Sequence, residues 1–195
     1  MKSYRNFWSL NTDEAVVTGI LRDETNKDVE VFMPINAQMK DIDLLLMNMQ
    51  NKKKTTKTIQ VKGSKAFEGS SIQILKYGYG SYCWIDIPSK AINDSIADYY
   101  IFLIYVLEQF DVNNKGRVYL KPHTITISKS DLNKKVLKYK KTRKRGSQEV
   151  YSFQIWINPK TKEAFDFVQF QNPTQDKEDY SKYLDNFEEL NRKLT

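Results

Sequence analysis

Hydrophobic and polar positions follow two rhythms along this chain, a period near two and a period near 3.6, and the switches between them predict its elements. Glu14–Arg22 (EAVVTGILR) and Asp28–Met33 (DVEVFM) are β-prone runs joined by the polar turn Asp23–Lys27, which predicts a hairpin. Pro34 ends the second run. Asn36 can then cap a helix reaching about Gln50, because Met39, Ile42, Leu45, Leu46 and Met49 recur at helical spacing. Beyond the basic stretch Asn51–Lys57, three short strands are expected at Thr58–Lys62, Ser71–Tyr77 and Tyr82–Ile87, the last two joined through Gly78–Ser81. Such strands predict a small, curved antiparallel sheet. An OB-like barrel is one solution, although the helix falls earlier than in the usual OB order.

In the second half, Ile92, Ile96, Tyr99, Leu103, Leu107 and Phe110 form a helical stripe, and Ser95 with Asp98 can make a capping box. Ile101, Phe102, Ile104 and Tyr105 fill the other faces, so Asp94–Phe110 reads as a buried central helix; the run exceeds typical strand length. Arg117–Leu120 and Thr124–Ser128 read as a pair of strands around Pro122. Glu149–Asn158 and Glu163–Gln171 form the clearest hairpin, closed by Pro159–Lys162. Phe153, Ile155 and Ile157 line one face, where Phe165 and Phe167 can meet them, and Trp156 points to the other. Gln175–Leu194 reads as a C-terminal amphipathic helix with Tyr183, Phe187, Leu190 and Leu194 in a stripe. The expected class is α+β: a β-rich half with one helix over 1–90, and a half over 91–195 with central helix, basic segment, hairpin and last helix, packed as one compact unit.

Composition narrows the class of partner. The chain has 195 residues, a net charge of +7, a single cysteine and a single histidine. One cysteine excludes an internal disulfide and a multi-cysteine metal site. No hydrophobic run reaches the length of a membrane span, and the first residues lack the apolar core of a signal peptide, so a cytoplasmic protein is expected. Heavy use of Lys, Asn and Ile with only 7 Gly points to an AT-rich genome, such as a phage or plasmid.

The charge is not spread evenly. KKVLKYKKTRKRG, Lys134–Gly146, holds eight cations and no acid, and a smaller cluster lies at Lys52, Lys53, Lys54 and Lys57. Clustered cations give phosphate affinity largely blind to sequence. Aromatic rings stand close to both: Tyr77, Tyr79, Tyr82 and Trp84 around the Gly78–Ser81 turn, and Tyr139, Tyr151 and Trp156 near the larger block. Cations along a backbone with rings for bases to stack on are what single-strand binding requires. The candidate nucleic-acid-binding residues are therefore Lys52, Lys53, Lys54, Lys57, Tyr79, Lys138, Tyr139, Lys140, Lys141, Arg143, Lys144, Arg145 and Trp156.

Signals of catalysis are sparse. His123 follows Pro122 at a strand start and is expected to be structural, and Cys83 lies within a strand as an inert thiol. Gly78 and Gly80 do not form a dinucleotide loop. Asp41 or Asp43 with Gln60-Val61-Lys62 resembles the Asp…(Glu/Gln)-x-Lys arrangement of metal-dependent nucleases, where acids hold Mg²⁺ and lysine helps activate water. Here both aspartates fall on a predicted helix, and residue 60 is an amide rather than a carboxylate. The leading expectation is thus a non-enzymatic protein without cofactor or metal, binding single-stranded DNA in replication or transfer of a phage or plasmid. A protein-interaction module, such as an inhibitor of a host nucleic-acid enzyme, is the alternative, and a metal-dependent nuclease ranks third.

Overall fold

The computed structural model describes residues 12–34, 41–50, 54–64, 66–109, 118–168, 170–172 and 174–195. In chain order the first half forms α1 (Thr12–Glu24), β1 (Val29–Phe32), β2 (Leu44–Asn48), β3 (Thr55–Ser64), β4 (Ala66–Glu68), α2 (Ser71–Tyr77), β5 (Ser81–Pro88) and α3 (Ser89–Asn93). The second half forms β6 (Tyr99–Gln109), β7 (Val118–Ser128), α4 (Lys129–Tyr139), β8 (Thr142–Arg145), β9 (Gln148–Asn158), β10 (Glu163–Asp166), β11 (Glu178–Asp179) and α5 (Glu188–Leu194).

Two sheets carry the fold. The first has the order β1-β2-β3-β6-β7, and the second runs β11-β10-β9-β5-β4 with β8 also beside β9. The class is α+β with a curved sheet, as expected, but the first sheet is mixed, because β3 and β6 are parallel. Its order ends on β1 and β7 and does not close into the OB-like barrel. Parallel neighbours need a long crossover; here β4, α2, β5 and α3 supply it, so the chain visits the second sheet before returning to the first.

The predicted central helix is strand β6. Its side chains alternate between two cores: Tyr100, Phe102, Ile104 and Val106 pack toward the second sheet with Ile85, Phe153 and Ile155. Tyr99, Ile101 and Leu103 pack with Val17 and Leu21 of α1 and Leu190 and Leu194 of α5. A strand covered on both faces is apolar at every position, which is the same pattern that a helix buried all round would show.

Other elements exchange type for local reasons. Glu14–Arg22 is helical within α1: Val17 and Leu21, one turn apart, are buried, and Asp13, Glu14 and Arg22 suit the helix ends. Leu44–Asn48, expected in a helix, is strand β2, with Leu44, Leu46 and Asn48 buried in strict alternation. Asn36 and Met39 of that expected helix lie outside the described residues. Ser71–Tyr77, expected as a strand, is α2, started by a reciprocal Ser70–Gln73 capping box. The two strands around Pro122 are one continuous edge strand, β7, where a missing ladder donor is tolerated. The C-terminal helix is confined to α5; β11 and a 3-10 turn at Ser181–Tyr183 precede it.

The hairpin of β9 and β10 forms as predicted, with Asn158 opposite Glu163, although its second strand stops at Asp166. Phe153, Ile155 and Ile157 face the inter-sheet core. Phe165 is opposite Trp156 and shares its outer face, contrary to the expected contact with the inner stripe. Trp156 does point away from that stripe, yet it is 0% exposed. Tyr77 of α2 lies 5.6 Å from its ring. A Cβ added at Gly69 or Gly80 would come within 2.3 Å or 2.6 Å of the indole, so both glycines are needed for this closure. Trp156→Ala should therefore cost about 3–5 kcal/mol of stability. Thermal unfolding measures it, and a melting temperature equal to wild type would contradict the burial.

Candidate metal and nucleic-acid site

Strand pairing assembles a polar group that a helix would have scattered. Asp43 directly precedes β2, and Asp41 in the preceding turn takes a positive φ of 69°. The Asp43 amide donates to the Ile59 carbonyl at 2.9 Å. Its carboxylate accepts from the Val61 amide at 2.7 Å. The ladder register ends at Leu44 opposite Ile59, and the carboxylate of Asp43, just outside it, caps β3 at the Val61 amide, between Gln60 and Lys62 in sequence. Gln60 and Lys62, two positions apart, share one face of β3. Ile59 and Val61 point the other way, into the core under α1 and α5.

Gln60 is only 5% exposed, and its Oε1 accepts no hydrogen bond. A buried amide oxygen without a partner costs about 1–3 kcal/mol. Burial raises the pKa of Asp43 above the ordinary carboxylate range, opposed by the Val61 hydrogen bond and the Lys62 charge. On the opposite face, the first turn of α1 docks immediately beyond Lys62. A Cβ on Gly63 would come within 1.9 Å of Asp13 Oδ2, and the Tyr105 hydroxyl donates to Asp13 Oδ1 at 3.2 Å. Among the described residues no group of three or more His, Cys, Asp or Glu side chains is placed to hold a metal.

The basic block divides by role. It forms the end of α4 and strand β8, which pairs with β9. Lys140 is not available to phosphate: it is buried, and its Nζ lies 2.5 Å from Asp166 Oδ2. The ammonium also donates to the carbonyls of Ser152 and Val168, both at 2.6 Å. Burial pushes the Asp166 carboxyl up to about 6 despite the Lys140 charge, and the same desolvation lowers the pKa of Lys140. Arg143 is also held structurally, 2.6 Å from Asp86 and 2.5 Å from the Ser152 hydroxyl. Lys138, Lys141, Lys144 and Arg145 are exposed, with Arg145 3.0 Å from Asp86. Tyr139 is half-buried beneath Lys138, and Tyr79 beneath Lys160, each with the ammonium 4.9 Å from the ring. Trp156 cannot stack on a base from its buried position. Lys54 is exposed and Lys57 half-buried near the start of β3, on the other sheet from β8; Lys52 and Lys53 lie outside the described residues.

Trp84 is an outward ring on the second sheet, 44% exposed. Tyr82, Trp84 and Asp86 alternate onto the outer face of β5, while Cys83 and Ile85 enter the core. Burial pushes the Cys83 thiol up to about 12, which makes it inert. Period-two alternation in Tyr82–Ile87 was a signal in the sequence for the outward position of Trp84. The Asp86 that locks it carries no such signal.

His123 is buried in mid-strand, not at a strand start, and bridges two carboxylates: Nδ1 is 2.6 Å from Asp185 and Nε2 2.8 Å from Glu108. Both ring nitrogens can donate only in the imidazolium. Burial works against that charge, but the hydrogen bonds to Asp185 and Glu108 outweigh it and raise the His123 pKa above 6.5. Stability from this bridge is therefore fully present below pH 6.5 and is lost as pH rises through the higher folded value. His123→Gln should lower the melting temperature more at pH 6 than at pH 9; an equal loss at both would mean a neutral ring.

No protein-family model, no curated protein and no solved structure matches this chain.

Proposed function

We propose that this protein is a metal-dependent nuclease acting on single-stranded DNA, with Asp43, Gln60 and Lys62 as its centre. The observation that carries the reading is the hydrogen bond from the Val61 amide to the Asp43 carboxylate, which ties that acid to β3 between Gln60 and Lys62. Neither aspartate lies on a helix: Asp41 is in a turn and Asp43 directly precedes β2. The donor set is hard oxygen with a single charge, and Gln60 Oε1 is a buried acceptor without a partner. That fits Mg²⁺, which keeps several waters and takes one or two carboxylates together with substrate phosphate.

When bound, the ion would lower the pKa of a ligated water and polarise the phosphoryl group. Asp43 and Gln60 would be its protein ligands, and the Val61 amide holds the Asp43 carboxylate in place. Lys62 donates hydrogen bonds to the attacking water or a non-bridging phosphate oxygen, countering charge that develops as the sugar oxygen leaves. Exposed Lys138, Lys141 and Lys144 attract the polyanion over longer range.

The amide at position 60 favours a second reading, in which the same surface binds single-stranded DNA without cutting it, in a phage or plasmid setting. One experiment decides between them. End-labelled single-stranded DNA is incubated with the protein in Mg²⁺, in Mn²⁺ and in EDTA. Cleavage should need the metal, and Asp43→Asn or Lys62→Ala should reduce it about a hundredfold or more, with strand binding in EDTA retained. Binding with no cleavage under any of these conditions overturns the nuclease reading in favour of the second.

A further inference from the structure

A second feature adjoins the proposed centre. Where β3 leaves the first sheet and β4 enters the second, Gly63, Ser64, Phe67, Trp84, Asp86 and Arg145 line an open groove of about 470 Å³. That falls within the size range of small-ligand sites, about 300–1,000 Å³. It begins one residue beyond Lys62, and the Ser64 hydroxyl donates to the Trp84 carbonyl at 3.1 Å, tying the two sheets at this corner.

Trp84 is held more firmly than an exposed ring needs to be. Its Nε1 donates to Asp86 Oδ1 at 3.0 Å, and the Arg143 guanidinium lies 5.2 Å from the ring centre. Asp86 is anchored in turn by Arg143, Arg145 and the Ser152 hydroxyl. Burial alone would raise the Asp86 pKa, but hydrogen bonds from Arg143, Ser152 and Trp84 keep it below the ordinary carboxylate range, so the anchor stays charged. Phe67 is 47% exposed and stacks on Tyr82 with ring centres 5.4 Å apart, adding a second ring at the groove.

We propose that this groove is a nucleobase-stacking subsite, in which an unpaired base next to the scissile phosphate lies on Trp84, with Phe67 beside it and Arg145 at the sugar–phosphate backbone. The inference rests on the nuclease reading for what lies next door; the stacking itself does not depend on cleavage. The ring and its rim select the occupant: Trp84 offers a π-face, and Arg145 of β8, largely exposed although paired with Asp86, stands at the groove for the phosphate attached to a base. A pinned ring loses little freedom on binding, so stacking there is pre-organised.

The test is an abasic scan. Single-stranded 12-mers of one sequence, each lacking a different single base, are titrated by fluorescence anisotropy in EDTA at low salt. For the wild-type protein, removing the base at one position should weaken binding about tenfold, and removal elsewhere should matter less. Trp84→Ala should weaken binding of the intact strand by a similar factor and no longer discriminate among the abasic strands, while Trp84→Phe restores much of both. Wild-type behaviour of Trp84→Ala, a flat wild-type scan, or no binding of the intact strand overturns the subsite. The two proposals fail separately: a flat scan with Mg²⁺-dependent cleavage removes the subsite alone, and a resolved scan without cleavage removes the nuclease reading alone.

Discussion

Burial of β6 on both faces is the constraint on which the rest of the structure depends. The backbone groups of that strand need ladder partners; β7 pairs along its whole length and β3 along Tyr99–Ile104. Each face needs its own apolar cover, so the chain must build a helix layer for Ile101 and Leu103 and a second sheet for Phe102 and Ile104. Fully burying such side chains contributes about 1.5–3 kcal/mol each. That repetition along one strand is enough to hold two layers against it.

The candidate centre is a by-product of this arrangement. β3 must present Ile59 and Val61 to the helix layer, and alternation then sends Gln60 and Lys62 to the other face. β2 is paired with β3 in a register that leaves Asp43 at its end, where the carboxylate accepts the Val61 amide in place of a further backbone partner. Polar chemistry thus collects at a strand end because apolar positions fix the phase of both strands.

Carboxylates sort the basic block into cations that serve the fold and cations left to solvent: Asp131 and Glu178 take Lys134 and Lys135, and Asp166 and Asp86 take three more. Asp166, fully buried, takes Lys140 out of water, and the pair is satisfied further by the Ser152 and Val168 carbonyls. Removing either partner would strand a buried charge. Asp86, nearer the surface, gathers Arg143 and Arg145 and itself accepts the indole N–H of Trp84. Lys138, Lys141 and Lys144 remain exposed. A block of like charge is therefore a poor guide to which member meets a ligand, because any of them can be claimed by a distant acid.

The sequence by itself determined those features whose cause is local: the α+β class, the β9–β10 hairpin and the alternation of β5. It also contained Asp43 and Gln60-Val61-Lys62 as types and spacings. What only the tertiary structure decided is whatever depends on a neighbour far along the chain. Tyr99–Gln109 is equally apolar as a buried helix or a doubly covered strand, and β3 and β7 on its flanks settle it. Leu44–Asn48 satisfies both periodicities over so short a run, and pairing with β1 and β3 selects the strand. Trp156 was legible as facing away from the inner stripe, but not as buried, because the lid over it comes from α2 and two glycines more than seventy residues earlier. Side-chain direction is set by strand phase within a few residues; burial and proximity are set by which distant surface arrives to cover them.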